Sequence, residues 1–274
     1  MRLPADNEQQ EQHLRMGAFM EEYQMQQRTG PLSGRLIVVT GASSGVGYAA
    51  TRHLVQNENA VVVAVARRRV FRVEALAKVV GPDRLYSVTA DMSAAGEAAS
   101  LFAMVREKWG RVDGFVHAVN RALRLTALEV SDTEFDLTMQ VNVKSALYGV
   151  QAVAPLFREQ GHGSIVIYNP TPERTLEFAA SEAVVSAAAC ALSALTEGWA
   201  RQLDGTGIQV REVSPAPEGA GQTTPHEVLL AEALGLGGTV PASSNLPVAA
   251  ASFHLSETSP VVLSARGGLS LTQY

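Results

Sequence analysis

Residues Leu36 to Gly47 read LIVVTGASSGVG, an apolar run followed by a glycine-rich segment. The first four residues are apolar and β-branched or leucine, which is typical of a strand buried in a parallel sheet. The glycines after Thr40 permit a tight turn and a close approach of the backbone to a bound group. Free amide groups and the helix dipole attract phosphate where a helix follows such a turn. The stretch therefore predicts a strand–loop–helix unit that binds the pyrophosphate of a dinucleotide.

Outward from this stretch, short apolar runs alternate with helix-length segments. The predicted strands are 35–40, 60–66, 85–89, 114–117, 164–168 and 208–213. The predicted helices are 47–56, 72–80, 94–109, 132–157 and 183–203, with a short helical piece at 226–234. Such alternation predicts βαβ units with right-handed crossovers. The expected fold class is α/β: a Rossmann-type doubly wound parallel sheet in three layers, α/β/α.

The chain divides into two predicted regions. Residues 1–34 are rich in Gln, Glu and Met and form an N-terminal extension, either a partly helical or flexible tail or an arm that contacts a partner. Residues 35–274 form a single Rossmann-type dinucleotide-binding domain. Within it, residues 215–247 are rich in Pro, Gly, Ala and Thr, which predicts a loop that covers the cleft at the carboxyl edge of the sheet.

Composition excludes several classes of function. The 274 residues carry a formal net charge of −5 and a pI near 5.7, so no general attraction to nucleic acid or to an anionic membrane is expected. No uninterrupted apolar stretch approaches the about 20 residues of a membrane span. A single cysteine, Cys190, cannot form an intrachain disulfide, and we expect it to be a small core residue. A cytoplasmic location follows as an expectation.

The second predicted strand indicates which dinucleotide is bound. Twenty residues after Gly47 come Arg67 and Arg68, and no acidic residue lies between Ala60 and Val73. An acidic group here would accept the ribose hydroxyl of NAD, whereas arginine offers paired donors to a 2′-phosphate. The pattern favours NADP(H). The alternative is a solvated basic turn without a ligand.

The motif Thr40–Gly47, TGASSGVG, resembles the glycine motif of the short-chain dehydrogenase/reductase family. Further matches run in order over roughly residues 34–268: Ala90-Asp91-Met92, Asp113–Val116, Val141-Asn142-Val143, 195–203, 207–210, 213–215 and Gly267-Gly268. The resemblance implies a set of cofactor-binding residues: Gly41, Ser43, Ser44, Gly45, Val46, Gly47, Arg67, Arg68, Asp91, Met92, Ala118 and Asn120. In this set Asp91 resembles the adenine-contacting Asp. Asn142 resembles the family's asparagine that holds a water in a proton relay.

The catalytic residues of the family are missing from their positions. The family uses a Tyr as proton donor, a Lys four residues later and a Ser after the fifth strand. Register set from Leu195-Thr196 places Val185 at the Tyr and Ala189 at the Lys, and the Ser position falls at or near Pro170. No Lys follows Lys144. The resemblance therefore implies an oxidoreductase-like fold without the family's catalytic set.

Two side chains could replace the missing proton donor. Tyr168 ends the predicted fifth strand, and His117 ends the fourth, where the nicotinamide would lie. The alternative for each is a structural role: Tyr168 as a tyrosine packed in the core, and His117 as a histidine whose ring nitrogens are hydrogen-bonded within the protein. The six histidines are scattered and show no metal-ligand spacing, so no metal is expected.

Three hypotheses follow. The first is a pseudoenzyme that binds NADP(H) and works as a cofactor sensor or non-catalytic subunit. The second is an NADPH-dependent oxidoreductase with a replaced proton donor, and the third is non-redox chemistry in the same cleft. The Ala- and Val-rich sixth helix, 183–203, suits close helix contact, so we expect a homo-oligomer (dimer or tetramer) or a hetero-oligomer with an active relative.

Overall fold

The computed structural model describes residues 32–170, 180–214, 226–235, 262–264 and 268–270. The strands are β1 (Leu36–Thr40), β2 (Val61–Ala66), β3 (Leu85–Thr89), β4 (Gly114–His117), β5 (Gly163–Tyr168), β6 (Ile208–Ser214), β7 (Val262–Ser264) and β8 (Gly268–Ser270). The helices are α1 (Gly45–Gln56), α2 (Phe71–Val80), α3 (Glu97–Trp109), α4 (Asp132–Met139), α5 (Ser145–Gln160), α6 (Ala183–Leu203) and α7 (His226–Ala233). A π-helical turn, Gln140–Lys144, joins α4 to α5, and a 3₁₀ turn, Ala180–Glu182, precedes α6.

The strands form one sheet in the order β3-β2-β1-β4-β5-β6-β7-β8. All neighbours are parallel except β7 and β8, which are antiparallel. In the centre, Val38 of β1 pairs with Val63 of β2 on one side and with Phe115 of β4 on the other. The strand order reverses direction between β1 and β4, which is where ligands bind in open α/β sheets. The predicted doubly wound α/β fold is confirmed, with β8 as an antiparallel edge.

Helices cover both faces of the sheet, and each face has its own core. Alternation along β1 sends Ile37 and Val39 to one face and Leu36 and Val38 to the other. The first face packs against α1, α2 and α7, and the second against α3, α5 and α6. Every residue of β1 is buried. This arrangement gives the three predicted layers.

The predicted helix 132–157 is interrupted in the structure. It runs as α4, the π-helical turn and α5, ending at Gln160. The prediction assumed 3.6 residues per turn over the whole segment, so it does not distinguish a single i→i+5 turn from the surrounding α-helix. The turn carries Asn142, whose contacts are described below.

Helix α6 is long and apolar, and one of its residues departs from the sequence expectation. In the described part of the chain it is the one helix whose length and hydropathy would suit a membrane span. Its Leu192, Trp199 and Leu203 pack into the second core, as in a core helix. Cys190 is exposed. The expectation that it is a core residue was wrong, because it lies on the face of α6 away from the sheet.

The N-terminal extension up to residue 31 and most of the predicted loop 215–247 lie outside the described residues. The helical piece predicted at 226–234 is present as α7, which packs against α1. The division of the chain into an extension and one domain stays a prediction.

Candidate functional site

A cleft of about 970 Å³ lies at the carboxyl ends of β1 to β4, where the strand order reverses. Eleven of the twelve predicted cofactor-binding residues line it: Gly41, Ser43, Ser44, Gly45, Val46, Arg67, Arg68, Asp91, Met92, Ala118 and Asn120. They come from four separate segments of the sequence. The fold therefore brings the predicted set together at one edge of the sheet.

The glycine loop is held against the neighbouring strand ends. Gly41 has φ +78°, and a Cβ there would lie 2.3 Å from the carbonyl oxygen of Ala118. Gly47 is the twelfth predicted residue and is buried beneath the loop, since a Cβ on it would lie 2.3 Å from the carbonyl oxygen of Gly41. The amide of Ala42 donates to Val65 at 3.1 Å. Gly47 thus shapes the loop rather than lining the cleft.

The first turn of α1 faces the cleft with its backbone amides available. Ser44 caps the helix with extended backbone, and its side chain makes no capping hydrogen bond. No acidic residue lies in the first turn. The amides at a helix N-terminus have no partner within the helix and carry partial positive charge. This turn can therefore accept a phosphate group.

Four arginines line the basic end of the cleft beyond β2. Arg69 is engaged, because its Nε and Nη2 donate to Glu74 at 2.5 and 2.9 Å. Arg67 and Arg68 are exposed, and neither makes a hydrogen bond or ion pair to the residues that the structure describes. Arg72 stacks on the ring of Tyr48, with 4.3 Å between its Cζ and the ring centroid. Two guanidinium groups are thus free to bind an anion.

Asp91 lines the cleft just after β3 with its carboxylate in a fixed position. Its Oδ1 accepts from the amide of Ser93 at 3.0 Å and from the Ser93 hydroxyl at 2.7 Å. The second oxygen accepts no hydrogen bond from the residues that the structure describes, so it can accept one from a ligand. This geometry suits the adenine contact that the family resemblance implies.

The positions that the sequence register assigns to the family's Tyr, Lys and Ser lie together at the other end of the cleft. Val185 and Ala189 line a small cavity of about 10 Å³ with Asn142 and Pro170. Pro170 also lines the main cleft. Helix α6 contains neither Tyr nor Lys, so no proton donor of the family's type reaches this point from α6.

Asn142 uses both polar atoms on the backbone of one residue. Its Oδ1 accepts from the Arg121 amide at 2.6 Å, and its Nδ2 donates to the Arg121 carbonyl at 3.0 Å. The side chain is 5% exposed. In this structure Asn142 therefore fixes the segment after β4, and its water-holding role stays a prediction.

The two candidate proton donors lie in different places. His117 is fully buried, does not line the cleft, and bonds through Nδ1 to Thr40 and through Nε2 to Ser145, each at 3.1 Å. Burial lowers the pKa of His117 to about 3, so the ring is neutral near neutral pH. Tyr168 lines the cleft at 8% exposure, and burial raises its pKa to about 12.

Sequence reasoning missed a buried polar cluster behind the small cavity. Asn169 follows β5, and its Nδ2 donates to Glu212 Oε1 of β6 at 3.0 Å and to the Ala189 carbonyl at 3.0 Å. The Ser193 hydroxyl donates to the same Glu212 oxygen at 2.7 Å. Asn169 and Glu212 are 1% and 2% exposed. The available signal in the sequence was Asn169, a polar residue at the carboxyl end of a strand. The sequence does not indicate that its partner is Glu212, 43 residues away.

The comparisons with known proteins agree with this geometry. The family model described as short chain dehydrogenase matches residues 35–224. An uncharacterized oxidoreductase of Staphylococcus haemolyticus is 32% identical over 186 residues, which cover 67% of this chain and 78% of that protein. The crystal structure of a short-chain dehydrogenase from Streptomyces avermitilis is 31% identical, with TM-score 0.61, over 67% of this chain and 66% of that one. A metagenomic short-chain oxidoreductase in complex with NADP is 25% identical, with TM-score 0.67, over 75% of this chain and 92% of that one.

The fold and the cleft define a dinucleotide-binding α/β protein. This chain belongs to the short chain dehydrogenase family. The family binds nicotinamide dinucleotides, and the residues here fit such a group: the free amides at α1, the two unengaged arginines and the fixed carboxylate of Asp91 surround one cleft. Among the described residues, no cluster of three or more His, Cys, Asp or Glu could hold a metal ion.

Proposed function

We propose that this chain binds NADP(H) in the cleft and does not reduce carbonyl groups by the Tyr–Lys mechanism of its family. The observation that supports the proposal is the pairing of the cleft with a helix α6 that contains neither Tyr nor Lys. The register predicted from the sequence assigns Val185 and Ala189 to the positions of the family's acid and lysine. The loss of a general acid alone removes about 10²–10⁴-fold in rate.

Each part of the cleft has a role in this proposal. The amides at the start of α1 and the loop from Gly41 hold the pyrophosphate. Arg67 and Arg68 bind the 2′-phosphate, because paired guanidinium donors match a phosphate's geometry. Asp91 accepts a donor from the adenine. The bound nicotinamide would supply hydride chemistry, but the side chains that α6 contributes to the small cavity are apolar and hold no proton to donate.

The function that follows is a cofactor-responsive or non-catalytic subunit. The NADP complex of the metagenomic relative supports NADP as the ligand, and the exposed Ala- and Cys-bearing face of α6 supports contact with a second copy or with an active relative. NADPH absorbance followed with aldehydes and ketones tests this. We expect NADPH to be bound and not consumed; turnover would overturn the non-catalytic part.

A second candidate function rests on Tyr168, which lines the cleft. In this alternative the chain is an NADPH-dependent oxidoreductase with Tyr168 as proton donor. Its raised pKa, about 12, makes it a weak acid for that role. If turnover is found, its loss in Tyr168→Phe would favour this candidate.

A further inference from the structure

A buried histidine joins two strands to a helix next to the wall of the cleft. Thr40 and His117 are the last residues of β1 and β4, and they are neighbours in the sheet. The His117 ring contacts the Thr40 hydroxyl through Nδ1 and the hydroxyl of Ser145, in α5, through Nε2, each at 3.1 Å. All three residues are fully buried. They form a Thr40–His117–Ser145 bridge that does not itself line the cleft.

Each member of the bridge is attached to a residue that does line the cleft. Gly41 and Ala118 directly follow the first two members in the chain. The hydroxyl of the third, Ser145, donates to the carbonyl of Val141 in the π-helical turn at 2.5 Å. Gly41, Ala118 and Val141 all line the cleft. The bridge therefore connects three separate segments of the cleft wall: the glycine loop, the segment after β4 and the π-helical turn.

The contacts of the two hydroxyl groups determine where the protons of the bridge lie. A backbone carbonyl can only accept, so the proton of the Ser145 hydroxyl points toward Val141. The contact between Ser145 and the ring is then a donation from Nε2–H of His117 to the Ser145 oxygen. A neutral imidazole carries one N–H, so Nδ1 has a free lone pair and accepts from Thr40. The Thr40 hydroxyl also lies 3.4 Å from the Val116 carbonyl, which is the longer of its two contacts.

The surroundings of the ring keep it neutral. Burial lowers the pKa of His117 to about 3, and no carboxylate contacts the ring from the part of the chain that the structure describes. A charged ring would also donate from Nδ1, which would leave the Thr40 proton only its 3.4 Å contact. A single order of protons therefore satisfies the bridge: Thr40 donates to Nδ1, Nε2 donates to Ser145, and Ser145 donates to Val141.

We propose that His117 is a positioning residue whose ring, protonated at Nε2, holds the glycine loop and the π-helical turn in fixed positions for a ligand in the cleft. It acts through Thr40 and Ser145 and does not touch the ligand. The order of protons is independent of any ligand. The proposal deepens the proposed function, and it rests on that function only for the cleft being the site of NADPH binding.

Nitrogen NMR of the full chain, isotope-labelled at the histidine rings and measured near neutral pH, tests the order of protons. The chain has 6 histidines, so the signals of His117 are assigned as those lost in His117→Asn. Couplings to the ring carbon-bound protons tell its two nitrogens apart. We expect a pyrrole-type signal from Nε2 and a pyridine-type signal from Nδ1. The reverse assignment, or the two pyrrole-type signals of a charged ring, would overturn the proposal.

A pair of serine variants separates positioning from a purely structural role. Ser145→Ala removes the acceptor of Nε2–H, whereas Ser164→Ala removes a second fully buried hydroxyl, which contacts the Ala233 carbonyl at 3.4 Å, outside the bridge. We expect Ser145→Ala to move the ring proton of His117 to Nδ1, where Thr40 can accept it. NADPH binding to this variant should be about three- to tenfold weaker, because the π-helical turn is no longer tied to the glycine loop, and Ser164→Ala should change neither readout.

Two results of this comparison would overturn the positioning role. One is a ring proton that stays on Nε2 in Ser145→Ala. The other is equal NADPH affinity of the two serine variants. If Ser145→Ala does not fold, the wild-type nitrogen spectrum still decides the proposal.

NADPH titration of the wild-type chain separates this inference from the proposed function. Failure of NADPH binding in a protein whose His117 is protonated at Nε2 would overturn the proposed function alone. Normal NADPH binding with the ring proton on Nδ1 would overturn this inference alone.

Discussion

The side-chain amide of Asn142 holds the backbone of Arg121 from both sides, accepting from its amide at 2.6 Å and donating to its carbonyl at 3.0 Å. This pair connects the π-helical turn to the segment that leaves β4 along the floor of the cleft. The position of that segment therefore depends on an asparagine 21 residues away.

Replacement of this asparagine is expected to destabilise the fold. Asn142→Ala leaves two partly buried backbone groups without partners, so its free energy of unfolding should fall by about 1–3 kcal/mol in urea titrations. Asn120→Ala is the matched control, since Asn120 is exposed at the same cleft, and its change should stay within about 0.5 kcal/mol. Equal losses in the two variants would show that the hydrogen bonds from Asn142 to Arg121 do not stabilise the fold.

Two glycines of the loop differ in what surrounds them. Gly41 and Gly45 both have positive φ, but only Gly41 would place a Cβ against the Ala118 carbonyl. Gly45→Ala should cost about 1–2 kcal/mol of backbone strain. Gly41→Ala should cost more than about 4 kcal/mol or prevent folding, because backbone blocks the new methyl group. Circular dichroism during urea unfolding measures both, and similar losses would show that the close approach to Ala118 is absent.

The arginines at the cleft are expected to contribute unequally to NADPH binding. Arg67→Ala with Arg68→Ala should weaken NADPH binding about 10–100-fold, because two charge-assisted contacts are lost, and should leave NADH binding unchanged. Arg69→Ala is the control, since Arg69 is already bound to Glu74. Calorimetric titration of each variant gives the comparison. A larger effect for Arg69→Ala would indicate that Arg69, rather than Arg67 and Arg68, binds the 2′-phosphate.

Acidification should destabilise the protein through His117. Its pKa is about 3 in the folded state and near 6.5 when unfolded, so the unfolded chain takes up a proton that the folded chain does not. The stabilising effect is present above pH about 6.5 and is lost as the pH falls toward 3, with a slope of at most about 1.4 kcal/mol per pH unit.

Urea midpoints measured between neutral and acidic pH check this slope. The variant His117→Asn keeps a donor and an acceptor for Thr40 and Ser145 but does not titrate in this range. We expect the wild-type curve to fall more steeply than that of the variant below pH about 6.5. Parallel curves would mean that His117 is accessible to protons in the folded state.

Local sequence patterns were enough to predict β1 to β6, though not β7 and β8, and to predict which residues line the cleft. The apolar run of β1 is buried throughout its length and that of β2 from Val62 onward, and the glycine loop lies between a strand and a helix as its motif requires. The carboxyl ends of parallel strands meet at one edge, so Arg67 and Asp91 were predicted to share a cleft.

Contacts between distant residues were beyond local patterns. The bonds from His117 to Ser145 and from Asn169 to Glu212 join side chains 28 and 43 residues apart. These contacts depend on how the helices pack against the sheet. Neither apolar periodicity nor a short motif specifies that packing. The exposure of Cys190 was missed for the same reason, since an Ala-rich helix gives no clear apolar face.

Calorimetric titration of the wild-type chain with NADPH and, separately, with NADH shows whether the cleft selects a dinucleotide with a 2′-phosphate. We expect NADPH to bind at least about tenfold tighter than NADH, because the free guanidinium groups of Arg67 and Arg68 bind the 2′-phosphate. Equal binding of the two, or no binding of NADPH, would contradict this expectation.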